Sequence, residues 1–391
     1  MVFMIASPVR GTGTHAGVCP CTARSYTRAA QAVKFLVGVE AVKGMKLKVL
    51  VVGCGAIGGT LGGYLAAAGT PVWVLTTNRA IGRSVREEGL RVRGDAGRVR
   101  ARPSGVLETP AEAPGPFEFV LLATQPPQVE AAAAEVEHLL APTGRVVCLQ
   151  NGLCEERLAQ RFGRERLVGA VVGWGASMHE PGLYVKTSSG GFTLGRLDGG
   201  PDARLLELAR LLEAVGPVTV TDNLSGVRWS KLAINCAVST LGTIAGQRLG
   251  RLMGRRFARR LGLEIVSEVV RVARAEGVAL EKVAGTIDLE WLALSELERR
   301  IVASPSLAAK HALILAVAAR FRRLRSSMLA ALERGRPPAV DFLNGEVVAR
   351  AEKHGLRVPV NAAARDLVWQ IARNERQPSL STLRALYDAT R

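Results

Sequence analysis

Up to about residue 222, short β-branched runs alternate with stretches whose small and apolar residues recur at helical spacing; beyond it every apolar run is helical in period. The first convincing strand is 46–52 (KLKVLVV), followed by a small-residue helix from Ala56 to Ala68 that stops at Gly69, and then a strand at 71–76 (PVWVLT). Apolar runs at 119–123 (FVLLA) and 145–149 (RVVCL) are separated by a helical stretch over 129–140. Residues 166–198, rich in Gly with alternating Val, Leu, Tyr and Phe, predict two or three further strands closing the same domain. Continuous apolar strands of this kind suit a parallel sheet buried on both faces. The pattern predicts an α/β chain, with a Rossmann-like doubly wound domain over 45–222 and an all-α domain over 223–391. Residues 1–44 stand apart: Arg10, Arg24, Arg28, Lys34 and Lys43 face only Glu40, with no period. They read as an extension outside the fold. A start at Met45 is the simplest explanation, ahead of a loosely ordered segment or an organelle signal.

Chemistry enters directly after the first strand. Gly53-Cys54-Gly55-Ala56-Ile57-Gly58 is a G-x-G-x-x-G that ends a strand, opens a helix and precedes a second strand, the context a dinucleotide-binding turn requires. Gly53 permits the turn, Gly55 the approach of a pyrophosphate, and Gly58 the packing of helix on strand. The helix N-terminus offers its N–H groups to the phosphates. Between Gly69 and Arg86 there is no acid to accept from a ribose 2′-hydroxyl; the second strand runs into Thr76-Thr77-Asn78-Arg79. An arginine there suits a 2′-phosphate, so NADP (as NADPH) is the expected cofactor and Arg79 its best single contact. Arg83 and Arg86 either share that role or are solvated charges. Loops after the later strands, 124–127 and 150–152, fall at the carboxyl edge of the sheet, where ligands bind in open α/β folds.

In the helical half, Lys231 and Asn235 lie four apart in WSKLAIN and share one face of a helix that is otherwise apolar at 232, 233, 234, 237, 238 and 241. A lysine among such neighbours is costly without a partner or a task, and polarising a carbonyl would be one; snorkelling to the surface is the alternative.

Composition narrows the classes. Apolar residues make up 48 % of the 391, which excludes a disordered chain, and no run of about eighteen uncharged apolar residues predicts a membrane span. Fifty-two Lys and Arg against 34 Asp and Glu give a net charge of +18, favouring anionic partners. With only 5 % aromatic residues, the stacking surface of a single-strand binder is missing, and nucleic acid is disfavoured. The six cysteines form no metal-binding array and read as reduced, placing the chain in the cytoplasm. The charged face of 255–275 reads as solvated or as a subunit contact, with which a homodimer is compatible. His179, His311 and His354 read as isolated structural or exposed residues.

From Met45 onward the chain resembles the ketopantoate reductases (2-dehydropantoate 2-reductases). The matching residues are GCGAIGG (53–59), LQNG (149–152), WSKLAIN (229–235), SSM (326–328), VDFLNG (340–345) and GLRVP (355–359), in the family's order across about 45–375. The resemblance implies an NADP-binding Rossmann domain, a helical domain, and NADPH-dependent reduction of a small anionic 2-oxo acid to a 2-hydroxy acid, ketopantoate to pantoate first of all. It implies that Lys231 is the catalytic lysine at the ketone oxygen. Asn151 lies near both nicotinamide and substrate, Asn235 holds the substrate's polar end, and Ser327 binds its carboxylate. The departures are pointed. Ala339 stands where the family has a glutamate, Ala331 where an acid is usual, Ser239 for the second asparagine of the lysine helix, and Gln125 for a frequent loop lysine. Glu333, Asp341 and Glu346 are close enough in sequence to substitute. These losses raise two further readings: a relative reducing a different oxo acid, and a catalytically silent NADP-binding sensor.

Overall fold

The computed structural model describes residues 47–94, 97–283, 286–301 and 303–390; the readings made for 1–44 lie outside them. The strands are β1 (Val49–Val52), β2 (Val72–Leu75), β3 (Leu90–Gly94), β4 (Gly97–Ala101), β5 (Gly105–Leu107), β6 (Phe117–Leu122), β7 (Leu140–Cys148), β8 (Leu167–Val172), β9 (Ala176–Glu180), β10 (Leu183–Lys186), β11 (Phe192–Arg196) and β12 (Val218–Val220). Eight of them form one sheet in the order β12-β11-β8-β7-β6-β1-β2-β5, parallel from β8 to β5. The chain leaves β1 toward β2 on one side and returns to β6 on the other. This puts a switch point at the carboxyl end of β1, the crevice where open α/β sheets take ligands. The helices of this half are α1 (Ala56–Ala67), α2 (Arg79–Glu88), α3 (Val129–Val136), α4 (Cys154–Phe162) and α5 (Ala203–Leu212).

Residues 166–198 form four strands where two or three were expected: β8 and β11 join the first sheet, and β9 and β10 belong to a second sheet of order β4-β3-β10-β9. It covers the other side of α1, and this explains why that helix is made of AIGGTLGGYLAA. A Cβ on Gly59 would strike the Tyr184 ring at 2.0 Å, and one on Gly63 would meet Val92 at 2.5 Å. Glycines let two sheets close on one helix, which is accordingly buried nearly all round.

After β12 the chain turns helical at α6 (Leu224–Ala245), followed by α7 (Leu249–Met253), α8 (Arg256–Ala275), α9 (Leu289–Leu292), α10 (Glu296–Arg300), α11 (Pro305–Arg320), α12 (Ser327–Leu332), α13 (Asn344–Lys353), α14 (Pro359–Ala372) and α15 (Leu380–Ala389). α6 and α8 carry the core of this half, with Trp229, Leu232, Cys236, Leu241, Val269 and Val272 all buried. Among the described residues no helix is long and apolar enough to cross a membrane.

Ion pairs join α13 of the helical half to α4 of the sheet-bearing half. Arg157 on α4 binds Glu346 of α13 at 2.7 Å and lies over the Phe342 ring at 4.7 Å from its centroid. Arg350 of α13 reaches back to Glu156 of α4 at 2.7 Å.

Candidate functional site

The glycine-rich turn has the geometry its sequence implies. Gly53 sits at φ +96°, in the left-handed region that favours glycine. A Cβ on Gly58 would lie 1.9 Å from the Gly53 carbonyl oxygen, so only glycine lets α1 start this close to β1. Gly55 is different: a Cβ there would meet nothing within 4 Å. Its lack of a side chain serves no contact of the protein and leaves room for a ligand. The first turn of α1 carries no acid, so its positive end stays uncompensated. These residues fit a dinucleotide's pyrophosphate. Ala56 and Ile57 open the helix half-buried. Cys54, by contrast, points into the core: its Sγ is 3.2 Å from the Tyr184 hydroxyl, which donates to the Cys54 carbonyl at 3.0 Å, and burial lifts the thiol to about 11. As a cofactor contact it can act only through its backbone.

The turn yields a paired prediction. Gly55→Ala is expected to leave Tm unchanged while weakening NADPH binding at least about 10-fold. Gly58→Ala should lower both, destabilising the fold by about 1–3 kcal/mol through overpacking. Cofactor titration beside thermal denaturation checks both variants.

Arg79 is the exposed first residue of α2, just past the end of β2, with Asn78 capping the helix through the Ile81 N–H. Arg86 is held elsewhere, by Glu108 at 2.7 Å and the Val106 carbonyl at 3.2 Å. Arg83 is exposed on α2.

Lys231 reaches the same carboxyl edge of the sheet from the helical side. It is half-buried on α6, and its Nζ donates to the Val172 carbonyl, the last residue of β8, at 3.1 Å. Burial lowers its pKa from 10.5 to about 7; Arg228, one turn away, adds repulsion, and Glu155 pulls the other way. Asn235 is half-buried one turn along α6, and Asn151 is exposed at the end of β7, two parallel strands from β1. Gly152, at φ +95°, brings this loop so close to the 3-10 turn Ala339–Phe342 that a Cβ would lie 2.5 Å from the Phe342 carbonyl. Ser327 is exposed at the start of α12, and its neighbour Ser326 caps that helix and bonds the Ser239 carbonyl and the Thr243 hydroxyl of α6, each at 2.8 Å. α6 thus carries Lys231 and Asn235 and anchors the segments bearing Asn151 and Ser327.

The acids close in sequence to Ala339 are each engaged by another side chain. Glu333 pairs with Arg325, Asp341 accepts from the Trp369 indole at 3.1 Å, and Glu346 is clasped by Arg157 and Arg350. Ala339 itself is half-buried.

Sequence reasoning missed Arg228 and Glu155. Their side chains, 3 % and 2 % exposed, form a buried ion pair, and Arg228 also donates to the Cys148 and Gln150 carbonyls at 2.8 Å each. This clamp fixes α6 to the end of β7 and the Asn151 loop. Burial outweighs the arginine and pushes the Glu155 carboxyl above its usual range. Among the described residues no group of three His, Cys, Asp or Glu could hold a metal ion, and Cys54, Cys148, Cys154 and Cys236 are free and buried.

Comparison with known proteins places this geometry. The chain matches the family described as ketopantoate reductase PanE/ApbA over residues 49–199, and that family's C-terminal region over 223–372. It is 30 % identical to the 2-dehydropantoate 2-reductase of Halobacterium salinarum over 325 residues, 82 % of this chain and 98 % of that one. The crystal structure of a PanE/ApbA family ketopantoate reductase from Ralstonia eutropha JMP134 superposes with a TM-score of 0.70 at 27 % identity, covering 85 % of this chain and all of that one. The ternary structure of D-mandelate dehydrogenase with NADH and anilino(oxo)acetate shares the fold, with a TM-score of 0.71 at 22 % identity over 84 % of this chain and 99 % of that one.

Proposed function

The chain belongs to the ketopantoate reductase family of NAD(P)-dependent oxidoreductases, and from that premise we propose that it reduces ketopantoate to pantoate with NADPH. The observation that carries this reading is Lys231, a lysine lowered to about 7 whose ammonium lies at the carboxyl edge of the sheet that bears the glycine-rich turn. Gly53, Gly55, Ala56, Ile57, Gly58 and the Cys54 backbone would hold the pyrophosphate, and Arg79 the 2′-phosphate. When bound, NADPH supplies the hydride. Lys231 holds the ketone oxygen, stabilises the negative charge that develops there, and gives it a proton from Nζ, an acid matched to neutral pH. Asn151 and Asn235 orient the substrate's polar groups, and Ser327 receives its carboxylate, each a neutral donor that leaves Lys231 the cation at the reacting oxygen.

The pH profile tests this. Because only the ammonium form assists, kcat is expected to fall as pH rises through about 7, and that limb should vanish in Lys231→Met. Cofactor choice is tested separately, because a neighbour of the same fold holds NADH. Arg79→Ala should raise KM for NADPH about 10–100-fold and leave that for NADH unchanged, the loss of a charge-assisted phosphate contact.

A second reading, reduction of a different 2-oxo acid, is favoured by the half-buried methyl of Ala339 where the family carries a carboxylate. Ala339→Glu distinguishes the two. A gain of about 10-fold or more in kcat/KM for ketopantoate marks a weakened ketopantoate reductase; a loss, with another oxo acid better turned over by the wild type, marks a redirected one.

A further inference from the structure

Taking this site as that of a 2-oxo acid reductase, we infer that it continues into an apolar cavity beside Lys231. The chain then reduces 2-oxo acids with a bare branched hydrocarbon tail as well as ketopantoate. Between Lys231 and Ala245, α6 is half-buried only at Lys231, Ile234, Asn235, Val238 and Ser239, and buried elsewhere. These positions fall at i, i+3, i+4, i+7 and i+8, one face of the helix. Ile234 and Val238 are therefore the apolar flank of the stripe whose polar members are Lys231 and Asn235. Both line a cavity of about 90 Å³ walled by α6, α7, α8 and α11, with Met253, Leu313, Ile314 and Val317 among its other residues.

The segment that carries Ser327 closes the same cavity. Leu324 lines it and its carbonyl accepts from the Leu249 N–H of α7 at 2.9 Å, while Ser326 ties the segment to the Ser239 carbonyl at 2.8 Å. The elements that would hold the ketone and the carboxylate are thus two walls of the cavity. A 2-oxo acid with its ketone oxygen at Lys231 and its carboxylate at Ser327 has only its tail left to place, and this apolar space adjoins both. Every residue of the wall is apolar, so nothing there would hold water, and a hydrocarbon gains by leaving solvent for it. A hydroxyl would find no partner in it. Size narrows the tail further. An apolar cavity of about 150 Å³ takes a benzene molecule. At that share per carbon, the cavity here takes about three or four carbons, a branched alkyl group and not a ring.

The test is NADPH oxidation by the full chain with pyruvate, ketopantoate, 4-methyl-2-oxopentanoate and phenylpyruvate. Because the isobutyl tail fills the cavity and a methyl does not, kcat/KM should be at least about 10-fold higher for 4-methyl-2-oxopentanoate than for pyruvate. It should fall again for phenylpyruvate, whose ring overfills the space. Two variants narrow the cavity. Val238→Phe is expected to cut the preference for the branched acid over pyruvate at least about 10-fold, and Gly262→Ala about 3–5-fold. A Cβ at Gly262 would meet only Leu241 Cδ1, at 3.9 Å, so this second variant fills space without a clash and its Tm should not drop. Turnover of pyruvate and ketopantoate with no gain for the branched tail would overturn the cavity's role and leave the reductase reading standing. A chain that turns over none of the four overturns both. A preference that survives both variants places the tail elsewhere and also overturns the cavity's role. Loss of a dimer in Val238→Phe by light scattering, with the preference intact, would give the cavity to a second copy of the chain instead.

Discussion

Lys231→Met is expected to lower kcat by about 10²–10³-fold while raising Tm. The catalytic loss follows from removing the only cation that the reading places at the ketone oxygen, since a single donor to a developing oxyanion accounts for a factor of that size. The stability gain follows from the same burial. In the unfolded chain Lys231 titrates at its ordinary 10.5, and in the folded one at about 7, so between those values the unfolded state holds the extra proton. Stability therefore rises with pH across that window. The full penalty of the buried ammonium is felt below about 7 and is gone above about 10.5. The methionine variant should be more stable than wild type at pH 6, and the difference should close as pH approaches 10. A merely snorkelling lysine would show neither effect. Steady-state kinetics and thermal denaturation across pH measure both on the same protein.

Arg228→Met carries the largest expected stability cost, about 3–5 kcal/mol. It leaves the Glu155 carboxylate buried without its partner and releases the Cys148 and Gln150 carbonyls. The double variant Arg228→Met with Glu155→Met should recover much of that loss, because removing both charges also removes the desolvation penalty that keeps the Glu155 carboxyl raised. Chemical denaturation of the two single variants and the double one closes the cycle. If the single losses simply add, the buried pair is not the clamp described above.

The nucleotide turn was legible because its signal is local: a strand, three glycines at fixed spacing and a helix follow one another in about thirty residues. Lys231 was legible because a lysine inside an apolar helical run is anomalous on its own. The second sheet was not, since its pairing is long-range, with Leu183 opposite Arg91 and Tyr184 opposite Val92. Its strands LRVRG and GRVRA alternate apolar with arginine, and that alternation was the available sign of a half-exposed hairpin. The small-residue helix α1 gave a weaker hint, because glycine on several faces means something packs on several faces. Arg228 and Glu155 were hidden for a different reason. An arginine near a helix start and a glutamate in a first turn are ordinary solvated residues by pattern, and only the docking of α6 against β7 and α4 buries them. The same holds for the contacts of Asp341 with Trp369 and of Glu346 with Arg157 and Arg350, acids that sequence proximity brought forward for the lost glutamate and whose partners only the fold shows.

The most direct test of the central claim is the rate of NADPH oxidation by the purified chain with ketopantoate, compared with the same chain carrying Lys231→Ala. The account predicts turnover that forms pantoate and is lost in the variant, while NADPH binds both proteins equally. NADPH binding without reduction of ketopantoate, or reduction that persists without Lys231, would contradict it.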